Sequence, residues 1–276
     1  IKGMGIEVTI LSGKVKPKIR REKLERIKDG TSQIVIGTHA LFQKEVQFKN
    51  LQFAVIDEQH RFGVKQRFDL IQKGDSIDIL VMTATPIPRT LQLSNYGDLD
   101  VSIIDEKPFN RKRIDTAVIS ETKIEPLLKR LRLACKRGRQ AYWVCPLIEE
   151  DENSELVALE RRFLALKKYD SSLTVKIIHG KMSEEEKNES MQSFAAGEVQ
   201  VLLATTVIEV GIDVPNASIM IIEGAERFGL AQLHQLRGRV GRGDLASSCT
   251  LIYSRNLSSS GRGRLEILRN NDNGFH

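Results

Sequence analysis

Phe53-Ala54-Val55-Ile56-Asp57-Glu58-Gln59-His60-Arg61-Phe62-Gly63 sets four apolar residues directly before two adjacent carboxylates. The apolar run reads as a short buried strand, and a helix-like stretch begins at about Gly63. Working outward, further strand-like runs lie at 6–11, 33–37, 77–82 and 101–104. Between the first two, a charged helix is expected from Pro17 to Lys28. Ile19, Leu24 and Ile27 fall near helical spacing, with Pro17 at its start and Gly30 just past its end. Regular alternation of strand and helix implies right-handed crossovers and a parallel sheet. Ligands of such sheets sit outside the carboxyl ends of the strands, which is where Asp57 and Glu58 stand.

The pattern breaks at 105–113 (DEKPFNRKR), a polar stretch with Pro108 and no period, and then restarts. Strands are expected at 115–119, 140–145, 174–178, 199–204, 218–222 and 248–253. Helices are expected at 123–137, 155–168, from Ser183 to about Gly197, and at 230–240. Ser183 and Glu186 form a capping-box pattern. The predicted fold class is α/β with two parallel-sheet domains, the first incomplete. The expected division is 1–107, a linker at 108–114, a second domain at 115–256 and the start of a C-terminal extension at 257–276.

The 276 residues suffice for one large or two ordinary α/β domains, with 41% hydrophobic and 28% charged residues. Net charge is 42 − 36 = +6, which suits a polyanionic partner without requiring one. No apolar run approaches the ~18 residues of a membrane span, and no secretory signal is read. Cys135, Cys145 and Cys249 form no CxxC pair, so neither a zinc site nor a disulfide framework is suggested. A reducing, cytoplasmic setting is the expectation.

Asp57 and Glu58 suit nucleotide hydrolysis: Asp57 holding Mg²⁺ through water, Glu58 orienting and deprotonating the attacking water. A pair that merely caps the next helix is the bland alternative. In Gln235-Leu236-Arg237-Gly238-Arg239-Val240-Gly241-Arg242-Gly243, Arg239 and Arg242 each follow a glycine, and planar guanidiniums match phosphate oxygens. A basic helix end touching solvent is the alternative. The stretch 202–217 (LLATTVIEVGIDVPNA) ends an apolar strand on Thr205 and Thr206. Gly211 there permits close backbone approach, and Asp213 suits a ribose hydroxyl or an arginine. Thr83 and Thr85 follow another strand and can link the carboxylates to a bound nucleic-acid strand, or serve as ordinary helix caps. Thr38, His39 and His179 sit in short polar loops able to donate to phosphodiester oxygens. The phosphate loop GxxxxGK[ST] does not occur. Val15 follows Gly13-Lys14, and Met182 follows Gly180-Lys181.

The order of these pieces resembles a superfamily 2 helicase, and within that superfamily the RecG type. The motifs that carry the resemblance are LSGKVK (11–16), IVIGTHALFQ (34–43), VIDEQHRFGVKQR (55–67), VMTATPIPRTL (81–91), GRQAYWVCPLIEE (138–150), ATTVIEVGIDVPNASIMII (204–222) and GLAQLHQLRGRVGRG (229–243). The resemblance implies two RecA-like lobes, ATP and Mg²⁺ as cofactors, branched DNA as partner, and a monomer with no membrane association. It makes Asp57 and Glu58 the acidic pair, and has Gln59, His60, Thr83 and Thr85 couple nucleotide to DNA. Asp213, Gln235, Arg239 and Arg242 would face the nucleotide from the second lobe. The chain begins with Ile1 and is expected to be truncated at both ends, without the phosphate loop and so poorly active alone. Two alternatives stand beside this: a non-catalytic nucleic-acid-binding relic, and a motor fragment of a transcription-repair coupling factor.

Overall fold

The computed structural model describes residues 3–13, 15–58, 63–74, 76–83, 100–104, 106, 112–146, 154–205, 214–254 and 257–271. Contacts divide the chain into two compact units, residues 1–86 and 87–276.

The first unit opens with β1 (Val8–Leu11), α1 (Pro17–Lys28), β2 (Ile34–Gly37) and a 3₁₀ turn (His39–Phe42). It continues with β3 (Phe53–Ile56), α2 (Val64–Ile71) and β4 (Asp78–Val81). β1 pairs with β2 and β3 with β4, both in parallel, forming separate two-stranded sheets among the described residues. Strand alternation decides which side chains each sheet buries. Leu11 packs with Ile27 of α1, Ala40 and Val46, while Ala54 and Ile56 pack with Leu70 of α2. The opposite faces carry Ile10, Ile36, Phe53, Val55 and Leu80, each 47–60% exposed. The expectation that β3 is buried throughout is therefore met on one face only. Residues 101–104, expected as a strand, form none, and Ile103 and Ile104 are exposed. An apolar run becomes a strand only where a neighbour offers a hydrogen-bond ladder.

The second unit runs β5 (Asp115–Ser120), α3 (Ile124–Lys136), β6 (Gln140–Val144), α4 (Ser154–Tyr169), β7 (Val175–Ile178), α5 (Glu184–Ala195), β8 (Val201–Ala204), β9 (Ala217–Glu223), α6 (Leu230–Arg237), β10 (Ser248–Tyr253) and α7 (Ser259–Asn270). All six strands are parallel, in the order β5-β10-β9-β6-β8-β7. Continuous apolar runs such as Tyr142-Trp143-Val144 and Val201-Leu202-Leu203 suit strands covered on both faces. Ala141, Trp143, Val201 and Leu203 pack with Leu128 and Leu131 of α3 and Leu159 and Leu166 of α4. Tyr142, Val144, Leu202 and Ala204 face Phe194 of α5, Leu233 of α6 and Leu265 of α7. The capping box at α5 forms as expected: Ser183 Oγ accepts from the Glu186 amide at 3.2 Å, and the Ser183 amide donates to Glu186 Oε2 at 2.7 Å.

The expected helix at 230–240 ends at Arg237, because Gly238 and then Gly241 (φ +79°) turn the chain away. α7 is not expected from local pattern, since Gly261 and Gly263 lower its intrinsic propensity. Packing overrides that: Leu265 and Leu268 are fully buried. A Cβ at Gly261 would come within 3.1 Å of Leu257 and Ser258, so the residue that weakens the helix also lets it seat.

Candidate nucleotide and nucleic-acid site

In the first unit, parallel register fixes which loops lie side by side. Ile56 is paired with Val81, and the Met82 amide donates to the Ile56 carbonyl at 2.8 Å. Asp57 and Glu58 therefore leave the sheet next to Met82 and Thr83. Asp57 is exposed, Glu58 and Thr83 are half-buried, and Asp57 Oδ1 accepts from the Glu58 amide at 2.9 Å. Glu58 has φ +50°, the one positive value among the described non-glycine residues. Such a conformation costs about 1–3 kcal/mol and persists where surrounding structure enforces it, often at working sites. No cluster of three metal-ligating side chains occurs among the described residues. Asp57 thus fits Mg²⁺ only in the way Mg²⁺ is usually held by nucleotide enzymes, through one or two carboxylates with waters and phosphates completing the shell.

By the same logic Leu11 is paired with Gly37, so Ser12-Gly13 lies beside Thr38-His39, both of the latter exposed. Gly37 is required there: a Cβ would stand 2.5 Å from the Leu11 carbonyl oxygen. Gln59, His60 and Thr85 lie outside the described residues.

In the second unit, β8 and β9 flank β6, and the crevice at the carboxyl end of such a reversal is the expected ligand position. Thr205 directly follows β8 there. It is fully buried, and its hydroxyl has no hydrogen-bond partner among the described residues. Buried polar groups are rarely left so. Thr206, Gly211 and Asp213 lie outside the described residues. His179 directly follows β7, next to β8. Its loop is held by Lys187 of α5, whose Nζ donates to the Gly180 carbonyl at 3.0 Å.

The arginine-rich stretch divides by role. Gln235 and Arg239 are half-buried and Arg242 is exposed, its Nε donating to the Gly238 carbonyl at 3.3 Å. Arg237 faces the other way and is 5% exposed. Its Nη1 donates to the carbonyls of Leu268 (2.7 Å) and Asn271 (3.0 Å), and its Nη2 donates to His234 Nδ1 (3.1 Å). Burial, and next the Arg237 charge, depress the His234 pKa to about 4. The unfolded chain then takes up a proton near pH 6.5 that the folded chain refuses until about pH 4. Stability is accordingly expected to fall as pH drops through that window and to be flat above it with respect to this group. Denaturation midpoints against pH for wild type and His234→Gln test this, the variant losing that part of the slope.

A second buried node had no sequence signal, because its members are 61 and 80 positions apart. Glu223, at the end of β9, accepts from Arg162 Nε (2.9 Å) and Nη2 (2.5 Å) and from Trp143 Nε1 (3.1 Å). Arg162 also lies over the Trp143 ring at 5.0 Å. Gly224, at φ +58°, follows directly, with Pro146 2.8 Å from where a Cβ would be. The ends of β6 and β9 are pinned together at the edge where Thr205 emerges.

Residues 1–94 match the DEAD/DEAH box helicase family and residues 122–244 the helicase conserved C-terminal domain. The ATP-dependent DNA helicase RecG of Haemophilus influenzae is 53% identical over 99% of this chain and 40% of its own length. That of Bacillus subtilis is 46% identical over 98% and 40%. The chain therefore spans about 40% of the length of these curated relatives. A solved structure of RecG bound to a three-way DNA junction superposes with TM-score 0.77 at 42% identity, covering 99% of this chain and 35% of that one. The Mycobacterium smegmatis helicase Lhr, at 18% identity and TM-score 0.65, shares the fold over 90% of this chain and 35% of its own.

Proposed function

We propose a function on the premise that the chain belongs to the RecG family of superfamily 2 DNA helicases: it is the part of an ATP-driven DNA translocase that remodels branched DNA, such as replication forks and Holliday junctions, in recombination and repair. The observation that carries this reading is the Asp57–Glu58 pair, held at the carboxyl end of β3 beside Thr83 with Glu58 in a strained backbone conformation. Asp57 would hold a hydrated Mg²⁺, which when bound neutralises charge developing on the transferred phosphoryl group. Glu58 orients the attacking water and accepts its proton. Arg239 and Arg242 offer donors to phosphate oxygens, with Gln235 and Asp213 orienting them and Gly211 leaving room for the nucleotide. Gln59, His60, Thr83 and Thr85 pass the nucleotide state to the DNA. Thr38, His39, His179, Thr205 and Thr206 donate to its phosphodiesters. The working form is a cytoplasmic monomer.

The 276 residues contain no GxxxxGK[ST] loop to cradle the β and γ phosphates, so the chain alone is expected to turn over ATP poorly. The test is phosphate release with and without a three-way junction, beside anisotropy of the same labelled junction. Junction binding with turnover no higher than that of Glu58→Gln is the expected result. DNA-stimulated turnover abolished by Glu58→Gln would overturn the inactivity, and absence of binding at low salt would overturn the DNA reading.

A further inference from the structure

In the second unit α3 turns Leu128, Leu131 and Cys135 into the core, where they pack with Trp143 of β6 and Leu159 of α4. At 3.6 residues per turn the opposite direction is shared by Lys129, Arg130, Leu133, Lys136 and the C-cap residue Arg137, which fall within an arc of about 120° centred on Leu133. All five are exposed, Leu133 at 56%. From Pro126 to Arg139 the chain holds no acidic residue. None of the four side-chain charges forms an ion pair or a hydrogen bond among the described residues. Arg132, at the edge of the stripe, is engaged with Asp170 at 2.6 Å, and Lys136 acts on that carboxylate from a distance.

Cations in the last turn of a helix answer its dipole, which accounts for Lys136 and Arg137. It does not account for Lys129 and Arg130, two turns earlier. A solvated helix face ordinarily interleaves both signs, as α1 does. There Arg21 and Lys28 are exposed and stand seven positions apart, with exposed Glu25 between them. On α3 the middle position is an exposed leucine, so the stripe reads cation pair, apolar gap, cation pair. The two pairs are seven residues apart, about 10.5 Å along the helix axis. The major groove of duplex DNA is about 12 Å wide, with a phosphate backbone on either side. Each pair of long side chains can therefore reach one backbone while Leu133 lies over the mouth of the groove, where no phosphate stands. An acidic peptide offers its carboxylates without such a gap.

We infer that the outward stripe of α3 is a further DNA-binding surface, on which Lys129 and Arg130 hold one phosphate backbone of a duplex arm and Lys136 and Arg137 hold the other. The inference rests on the DNA-binding reading above and extends it, since none of the residues placed in that site lies on α3. Phosphate contacts of this kind position a duplex and carry no sequence preference.

The test is the salt dependence of binding of the intact chain to a labelled three-way junction, followed by anisotropy. Each phosphate contact contributes about 0.9 to the slope of log K against log salt. Lys129→Gln with Arg130→Gln, and separately Lys136→Gln with Arg137→Gln, are each expected to reduce the slope by about 1.8. The deficit of each against wild type then grows about tenfold as salt falls from about 200 to about 50 mM. Glutamine is a good helix former, so α3 is expected to persist, which circular dichroism checks. A control double variant, Arg21→Gln with Lys28→Gln, removes the same charge at the same spacing from α1 and is expected to leave the slope unchanged. A wild-type slope in either α3 variant overturns the inference, as does an equal reduction in the control, since net charge alone would then explain the effect. A labelled oligoglutamate peptide forms a second arm. If the α3 variants lose that peptide and keep the junction slope, the surface belongs to an acidic protein segment and the DNA assignment fails. If wild type does not bind the junction at all, the DNA reading and this inference fall together; binding with equal slopes sinks the inference alone.

Discussion

Arg237→Met is expected to lower the stability of the second unit by about 2–5 kcal/mol, while Arg242→Met shifts it by less than about 0.5 kcal/mol. The two residues lie five positions apart, 242 − 237, in one basic motif, yet their surroundings are opposite. Removing the Arg237 guanidinium leaves the Leu268 and Asn271 carbonyls and His234 Nδ1 without their donor in a site that is 5% exposed. Each orphaned buried group costs about 1–3 kcal/mol, and methionine refills only part of the volume. Among the described residues Arg242 makes one hydrogen bond, at 3.3 Å, from an exposed position. Arg237→Lys keeps the charge but loses the planar fork, and should fall between the two. Trp143 is the single tryptophan and lies in the sheet of the second unit. Its emission during denaturant unfolding therefore reports on that unit, even where the whole chain does not unfold in one step. Equal midpoint shifts for Arg237→Met and Arg242→Met would show that Arg237 is not the internal strut described here.

The second large effect concerns the first unit. The chain is expected to bind an apolar dye such as anilinonaphthalene sulfonate strongly in its folded state, and Ile36→Lys with Val55→Lys is expected to remove most of that signal. Ile10 is paired with Ile36 and Val55 with Leu80, and all four point to the exposed faces of their sheets. Parallel sheets are almost always covered on both faces, and contiguous exposed apolar rows of this kind mark surfaces that engage something else. Lysine extends its aliphatic stem along such a surface and keeps its ammonium in water, so folding should survive. A matched pair of substitutions at exposed polar positions, Lys18→Gln and Glu22→Gln on α1, provides the comparison. If dye binding persists in the lysine variant, the rows are not the surface that binds it.

Much of this architecture could be read from local pattern. Pro17 and Gly30 bracket α1, four apolar residues before Asp57 mark β3, and Ser183 with Glu186 announces α5, because each signal lies within a few residues of the structure it causes. The placement of Asp57 and Glu58 followed from one rule about the ends of parallel strands. What could not be read depends on partners distant in sequence. α7 forms against its own glycines because Leu265 and Leu268 find a core. Residues 101–104 look like a strand and find no ladder. Arg237 and Arg239 are indistinguishable as letters, yet the first lies in the last turn of α6 and braces α7, while the second lies past the helix end and is half-buried. The node of Arg162, Trp143 and Glu223 needed the sheet order before its members could meet.

Glu58 sits where glycine would rest without strain. Any selection of this polypeptide purely for heat resistance would therefore drift toward deleting the very carboxylate to which the proposed hydrolysis assigns the water. On that reading, durability and turnover pull in opposite directions at a single residue.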